Sequence, residues 1–430
     1  MRIYLIGIGG IGVSALAQYY LAKGNDVSGS DLVASEITDM LKQKGIKIFI
    51  GTDKKNISKN LDLVVYSPAV EQSNVELMAA KNLEIRCQTY PEALGELAKE
   101  HFTIAVSGTH GKSTTSSIIG LLLTEAGLDP TVIVGTKLKE FGNSNFRAGN
   151  SKYLVIEADE HFASFLNYWP KIIVLTSLEA DHLDYYKTLD NLLKTFKEYV
   201  EHLSEDGFLV ANKDDENICK IQNSKTKIQN YSLQQPEAKK LKEILQIPGA
   251  HNISNALAAL TVARILGISD EVSFKSLSGF KGTWRRFEIK EGSANGNKIT
   301  VVNDYGHHPT EVRVTLKAVR EKYPNKRIMC VYQPHQYQRT FYLFDEFVKV
   351  FREVPIDKVI IIDIYSVAGR ESEEIKSKVN SEKLVKEINK DNVVCILFGE
   401  VEKYIKENIE DGDVLVIMGA GDIYKLSDKF

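Results

Sequence analysis

The chain has 430 residues, with 54 Lys and Arg against 57 Asp and Glu, so its formal charge is −3. At 43% hydrophobic and 26% charged residues it is a folded globular chain, too long for one ordinary core, and two or three domains are expected. The near-balanced charge gives no field that recruits nucleic acid or an anionic membrane, so the expected partners are small molecules.

The N-terminal residues run directly into a strand pattern, with no charged region followed by a cleavable apolar stretch. No run approaches the roughly 18 apolar residues needed to cross a bilayer, and a cytoplasmic location is expected. The cysteines Cys87, Cys219, Cys330 and Cys395 stand far apart without a CxxC pair, against a zinc cluster or a disulfide framework. Short apolar strands are expected at 3–6, 26–30, 46–50 and 61–66, with a helix over 11–23. Between the first strand and helix lies Gly7-Ile8-Gly9-Gly10-Ile11-Gly12, a GxGxxG, and Asp31 follows Gly12 by 19 positions. That pattern fits a diphosphate and a ribose; read naively it is a dinucleotide fingerprint.

A new strand at 102–106 feeds Ser107-Gly108-Thr109-His110-Gly111-Lys112-Ser113 and a helix to about residue 126. A strand, a glycine-containing turn and a helix together aim backbone N–H groups at an anion. Lys112 can reach the β- and γ-phosphates and the Ser113 hydroxyl can ligate Mg²⁺. The strict phosphate-loop pattern asks for glycine at 106, where this chain has Val106. Further strands are expected at 153–157, 172–176 and 207–211, a helix-rich stretch over 252–266, and a linker at 279–283, which is also a candidate hinge. A third alternation places strands at 299–303, 327–332, 358–362, 393–398 and 414–418. The expected fold is α/β with three consecutive domains over 1–100, 101–283 and 284–430. The first and third are Rossmann-like, and the central one is a P-loop-type ATPase domain with a mainly parallel sheet.

Two clusters fall just after strands of the central domain: Glu157-Ala158-Asp159-Glu160 and Glu179-Ala180-Asp181-His182. Ligands of parallel sheets bind outside the carboxyl ends of strands, and Mg²⁺ takes carboxylate oxygens, so Glu157 and His182 are candidate ligands beside Ser113. One such cluster alone reads as an ordinary acidic loop; two after neighbouring strands of the phosphate-loop domain point to a site.

These motifs recur in one order with His251-Asn252-Ile253-Ser254-Asn255, Arg285-Arg286-Phe287, residues 304–311 (Asp-Tyr-Gly-His-His-Pro-Thr-Glu), Pro334-His335-Gln336-Tyr337-Gln338-Arg339-Thr340 and Met418-Gly419-Ala420-Gly421-Asp422. Together they resemble the Mur ligases over nearly the whole chain. The resemblance implies a three-domain enzyme that uses ATP and Mg²⁺ to join an amino acid, L-alanine, to the carboxylate of UDP-N-acetylmuramate in peptidoglycan precursor synthesis, through an acyl phosphate.

Carried over by residue, it implies an ATP site at Gly108, Thr109, His110, Gly111, Lys112, Ser113 and Thr114. Asn252 and Asn255 are implied on the adenine side, and Arg286 and Asp304 against the nucleotide. Ser113, Glu157 and His182 are implied as metal ligands, and Lys112, His182, His110 and Glu157 as the catalytic set. UDP is implied, instead of a dinucleotide, at Gly9, Gly10, Ile11, Gly12, Ser30, Asp31, Ser67, Pro68 and Ala69, with Asp159 and Glu160 near the muramoyl group. Tyr305, His335 and Arg339 are implied to shape the amino-acid site. Gln336 stands where many of these ligases carry an extra arginine. Several relatives carry a carbamylated lysine; Lys194 and Lys197 lie nearby and read as solvated helix lysines. The alternative is the ligase that joins UDP-muramate to a preformed tripeptide. Its usual extended segment after the first cluster is missing here, where Ile172 follows Glu160 by 12 positions. An oxidoreductase using the first domain, or a nucleotide-sensing module, leaves Gly111-Lys112-Ser113 without a catalytic task.

Overall fold

The structure, a computed structural model, describes residues 1–222, 226–367, 371 and 373–430. The chain forms three sheets. The first has β1 (Arg2–Ile6), β2 (Asp26–Asp31), β3 (Lys47–Ile50), β4 (Leu63–Tyr66) and β5 (Cys87–Thr89) in the order 3-2-1-4-5. Its pairings are all parallel. The second has β6 (Phe102–Ser107), β7 (Thr131–Leu138), β8 (Ser144–Arg147), β9 (Tyr153–Glu157), β10 (Ile172–Leu175), β11 (Phe208–Asn212) and β12 (Lys227–Tyr231) in the order 12-11-10-6-9-7-8. The third has β13 (Glu288–Ala294), β14 (Asn297–Asp304), β15 (Ile328–Tyr332), β16 (Lys358–Ile361), β17 (Val393–Cys395) and β18 (Val414–Met418) in the order 13-14-18-15-16-17. Only β7–β8 and β13–β14 are antiparallel among the described pairings.

The central strands are uninterrupted apolar runs because parallel sheets are covered on both faces. All of Ile104, Ala105, Val106, Ile172–Leu175 and Leu415–Val416 are fully buried. In the third sheet the core divides into two layers, one around Tyr332, Phe347 and Phe351 and the other around Val331, Ile360 and Ile417.

The chain divides into two compact units. The first comprises Met1–Glu179, Leu192–Ser232 and Asn255–Leu277, and holds the first two sheets. The second comprises Ala180–Asn191, Leu233–Ser254 and Ser278–Phe430, and holds the third.

Several stretches differ from the expectation. The β7–β8 hairpin was not anticipated, because Gly135 and Gly142 interrupt its apolar pattern. It docks on the helix Ile11–Ala22 through buried amides: Gln18 Nε2 donates to Asn145 Oδ1 at 3.0 Å, and Ser144 Oγ donates to Gln18 Oε1 at 3.0 Å. The helix-rich stretch is followed by a further helix, Asp270–Gly279, which runs up to the irregular residues 280–282 within the expected linker. The strand expected over 393–398 stops at Cys395, and a helix starts at Phe398, whose N–H is taken by Asp363 Oδ2 at 2.9 Å.

Candidate active site

In the second sheet β6 lies between β10 and β9, so the loops after all three strands meet at one carboxyl edge. The loop after β6 turns on two glycines. Gly108 has φ +129°, and a Cβ there would stand 2.4 Å from Thr176 Oγ1. Gly111 has φ +83°, and its Cβ would stand 2.4 Å from Asn255 Oδ1. Only glycine fits either place.

The loop is tied to the chain after β10: Thr109 N–H donates to the Ser177 carbonyl at 2.8 Å, and His110 N–H to Ser177 Oγ at 3.0 Å. Thr176 Oγ1 donates to the His110 carbonyl at 2.5 Å, and Glu179 N–H to Thr109 Oγ1 at 2.8 Å. The helix Lys112–Glu125 starts at once, and its N-cap, Gly111, brings no side chain to the first-turn N–H groups. An uncapped N-terminus in a glycine cradle fits an anion.

Lys112 Nζ donates to the Gly108 carbonyl at 2.7 Å and to both oxygens of the buried Glu160 at 2.9 and 2.7 Å. Burial pushes the Lys112 pKa down, but Glu160, Asp159 and Glu157 together outweigh it and hold it above its ordinary value, so Lys112 is a fixed cation. Ser113 Oγ donates to Glu157 Oε1 at 3.0 Å, while Glu157 Oε2 accepts the Gly135 N–H at 2.7 Å. A hydroxyl and an ionisable carboxylate side by side at a phosphate loop are a donor set that fits Mg²⁺. Thr114 is buried in the first helical turn, and His110 Nε2 stands 3.5 Å from Glu179 Oε2.

At the first sheet the order 3-2-1-4-5 opens a crevice between β1 and β4. The glycine-rich turn and Ser67-Pro68-Ala69 meet there: Ser67 N–H donates to the Ile6 carbonyl at 3.0 Å, and a Cβ on Gly7 would stand 3.1 Å from Ser67 Cβ. Asp31 accepts the Gly9 N–H at 2.8 Å, so it holds the turn itself. Ser30 does not face this crevice with its hydroxyl. It is fully buried and donates to Glu76 Oε2 at 2.5 Å, and Glu76 also accepts from Tyr4 and Asn56. Ser30 thus supplies one of the donors that the buried Glu76 carboxylate needs.

The second unit holds Asp181, His182, Asn252, Arg286, Asp304, Tyr305, His335 and Arg339. Asp304 is buried and accepts from Phe287 N–H at 2.9 Å, Gly306 N–H at 2.8 Å and Thr315 Oγ1 at 3.3 Å. Burial raises its pKa, and Arg286 opposes that rise. His308 and Glu311 form a capping box on the helix Pro309–Lys322. Much of the 304–311 motif therefore folds its own turn. The Arg286 guanidinium lies 4.7 Å from the Tyr305 ring centre, and the ring chain continues through His307 and His335.

Arg339 is buried and gives Asp181 Oδ1 two hydrogen bonds, at 3.0 and 3.3 Å; its Nη1 also reaches Gln336 Oε1 at 3.5 Å. Burial alone would raise the Asp181 pKa; Arg339, together with His182, His308 and His307, overrides it and holds the carboxyl well below its usual range. His182 adjoins with φ +52°, its N–H on Asp181 Oδ1 at 2.8 Å. The cavity beside Asp181, His182, Gln336 and Arg339 is about 20 Å³. Asn252 Nδ2 donates to the Pro248 carbonyl at 2.7 Å, whereas Asn255 stands against Gly111 in the first unit. Lys194 and Lys197 are exposed on the helix Leu189–Val200.

Residues 2–102, 106–246 and 285–421 match, in order, the family profiles "Mur ligase family, catalytic domain", "Mur ligase middle domain" and "Mur ligase, glutamate ligase domain". Over its whole length the chain is 41% identical to a UDP-N-acetylmuramate–L-alanine ligase of Clostridium acetobutylicum, covering 97% of that protein. The chain belongs to the Mur ligase family.

This Mur ligase is accordingly an ATP-dependent enzyme that forms amide bonds. Its fold matches the crystal structure of the UDP-N-acetylmuramate-alanine ligase of Thermotoga maritima with a TM-score of 0.82, 26% identity, and coverage of 100% of this chain and 98% of that one. A murein peptide ligase of Psychrobacter arcticus shares the fold at a TM-score of 0.74 and 23% identity, covering 100% of this chain and 98% of that one. Among the described residues no helix is long and apolar enough to cross a membrane.

Sequence reasoning missed Gly135 and Ser177, which orient Glu157 and the phosphate loop, and it missed the pairing of Glu160 with Lys112. The only signal for that pairing was the three-residue spacing of Glu157 and Glu160.

Proposed function

We propose that this Mur ligase joins L-alanine to the carboxylate of UDP-N-acetylmuramate in the cytoplasm, cleaving ATP to ADP and phosphate. The observation that carries the reading is full-length identity of 41% to a ligase of that name. The site supports it, because it offers a phosphate cradle, a fixed cation and carboxylates, but calls for no protein nucleophile.

Lys112 would leave Glu160 for the β- and γ-phosphates in the cradle of Gly108, Thr109, His110, Gly111, Ser113 and Thr114. Ser113 and Glu157 would hold one Mg²⁺, and His182 a second. Bound there, Mg²⁺ supplies positive charge to the transferring phosphoryl oxygens. The muramate carboxylate attacks the γ-phosphorus as the bond to ADP breaks. The alanine amine then attacks the acyl carbon and loses a proton, and phosphate departs. Glu160 and Asp159, relieved of Lys112, face the muramoyl group together with His110. The glycine-rich turn Gly9-Gly10-Ile11-Gly12, Asp31 and Ser67-Pro68-Ala69 would take UDP. Arg339 would exchange Asp181 for the alanine carboxylate, a bidentate match for its fork, beside Tyr305 and His335. Asn255 would complete the nucleotide site of the first unit, and in the second unit Asn252, Arg286 and Asp304 would take nucleotide contacts.

Phosphate release with ATP, Mg²⁺ and UDP-muramate, measured across the twenty amino acids and the muramoyl tripeptide, tests this. L-alanine is expected to give the fastest turnover. Faster turnover with the tripeptide, or none with any acceptor, contradicts it.

A further inference from the structure

The third glycine of the GxGxxG turn is explained by a side chain that the proposed mechanism leaves unused. Gly12 opens the helix Ile11–Ala22, and a Cβ there would stand 2.7 Å from Cζ, 3.0 Å from Cε1 and 3.0 Å from the hydroxyl oxygen of Tyr90. The phenol thus occupies the space that a Gly12 side chain would take. Tyr90 begins the helix Tyr90–Lys99 directly after β5, at the carboxyl edge of the first sheet, where its ligand crevice opens.

That helix is fixed at its middle. A Cβ on Gly95 would stand 2.3 Å from the Asn167 carbonyl, so the helix lies directly against the 3₁₀ segment His161–Asn167 that follows the Asp159 and Glu160 carboxylates. The Tyr90 phenol consequently stands between the glycine-rich turn on one side and the carboxylate cluster on the other. Burial first, then the charges of Glu157 and Asp159, raise its pKa, so it remains a hydrogen-bond donor at neutral pH.

We propose that Tyr90 is a substrate-positioning residue whose hydroxyl donates to the part of the UDP-sugar between its diphosphate and its reacting carboxylate. The inference rests on the UDP-muramate reading above. A diphosphate on the Gly9–Gly12 turn and a carboxylate brought toward Lys112 leave the intervening sugar to pass this phenol. A tyrosine there supplies a neutral donor suited to a sugar oxygen or acetamido carbonyl, and it adds no negative charge beside the phosphates.

The test uses the full chain and Tyr90→Phe, which keeps the ring against Gly12 and removes only the hydroxyl. Steady-state KM is measured for each of the three substrates, direct calorimetric binding of UDP-muramate is measured without ATP, and the thermal midpoint is recorded. The expected result is a rise of about 3- to 10-fold in Kd and KM for UDP-muramate, the loss of one hydrogen bond. KM for ATP and L-alanine and the midpoint should hold within about twofold and 2 °C. Unchanged UDP-muramate affinity overturns the proposal. So does a uniform loss of activity with a lowered midpoint, which identifies a packing role. Wild-type enzyme that binds no UDP-muramate overturns the functional reading and this inference together; wild-type binding matched by Tyr90→Phe overturns this one alone.

Discussion

Lys112 and Glu160 form a buried pair in which each group neutralises the other, with side chains 13% and 2% exposed. Removing one partner leaves the other charged and desolvated, which costs about 3–5 kcal/mol. Lys112→Met is therefore expected to destabilise the first unit by about 3 kcal/mol and to abolish ATP turnover. Adding Glu160→Gln should recover most of the stability but none of the turnover. Urea unfolding of the two variants beside phosphate release separates these effects, and a single variant as stable as wild type would show that the pair is not buried in solution.

His307 belongs at the same scale. Burial is the largest influence on its pKa, and with Arg339 and His335 it outweighs Glu311 and Asp181, so the imidazole is held well below its ordinary pKa and stays neutral. A base with a depressed folded pKa is stabilising above its unfolded value, and that stability is lost as the pH falls, because the unfolded chain takes up the proton first. Between the unfolded pKa of about 6.5 and the lower folded one, stability should fall by about 1.4 kcal/mol per pH unit from this group. His307→Gln should flatten the dependence of the urea midpoint on pH below 6.5. An unchanged slope would assign the dependence to other groups.

At the scale of elements, the helix Tyr90–Lys99 offers a case where local propensity and packing disagree in sign. Alanine in place of a mid-helix glycine gains about 1 kcal/mol from propensity. At Gly95, however, the new Cβ would stand 2.3 Å from the Asn167 carbonyl. Overpacking against backbone costs about 1–3 kcal/mol, so Gly95→Ala is expected to lower the unfolding midpoint in spite of its propensity. A raised midpoint would mean that the helix and the 3₁₀ segment separate easily.

The elements legible in the sequence were those that packing makes apolar and continuous: β1, β6, β9, β10, β15 and β18 stand within a residue or two of their expected places. Those missed lie at edges or next to them. β13 is the antiparallel outer strand of its sheet with alternating exposure, and β7–β8 turns through Gly142. Such strands owe their conformation to a partner far along the chain, which no local pattern records.

The site divides in the same way. Lys112, Ser113 and Glu157 were legible because a loop between a strand and a helix fixes its own chemistry. Tyr90, Gly135, Ser177 and the Lys112–Glu160 pair were not, because only the strand order 10-6-9-7 and the docking of the Tyr90–Lys99 helix bring them there. Ser30, Asp31 and Asp304 also hold local structure through their own hydrogen bonds, which the sequence pattern does not record. A polar residue next to a ligand site can be spent on holding the turn that makes the site.

For the whole molecule, three sheets each present their ligand-facing loops at the carboxyl edge, and the two compact units divide the implied machinery between them. The phosphate loop, Glu157 and the glycine-rich turn lie in the first unit, while His182, Arg339, Tyr305 and His335 lie in the second. The first unit's nucleotide site should respond to ATP without L-alanine, so ATP is expected to protect Gly108–Ser113 amides from hydrogen exchange before any acceptor is added. Protection that appeared only with all three substrates would place the nucleotide site elsewhere.

The central claim is that a triphosphate sits at the start of the helix Lys112–Glu125, and a crystal structure with a non-hydrolysable ATP analogue and Mg²⁺ tests it most directly. The claim predicts β- and γ-phosphates on the Gly108–Ser113 backbone, Lys112 turned from Glu160 onto them, and the metal on Ser113 and Glu157. Nucleotide bound in another place, with Lys112 still on Glu160, would contradict it.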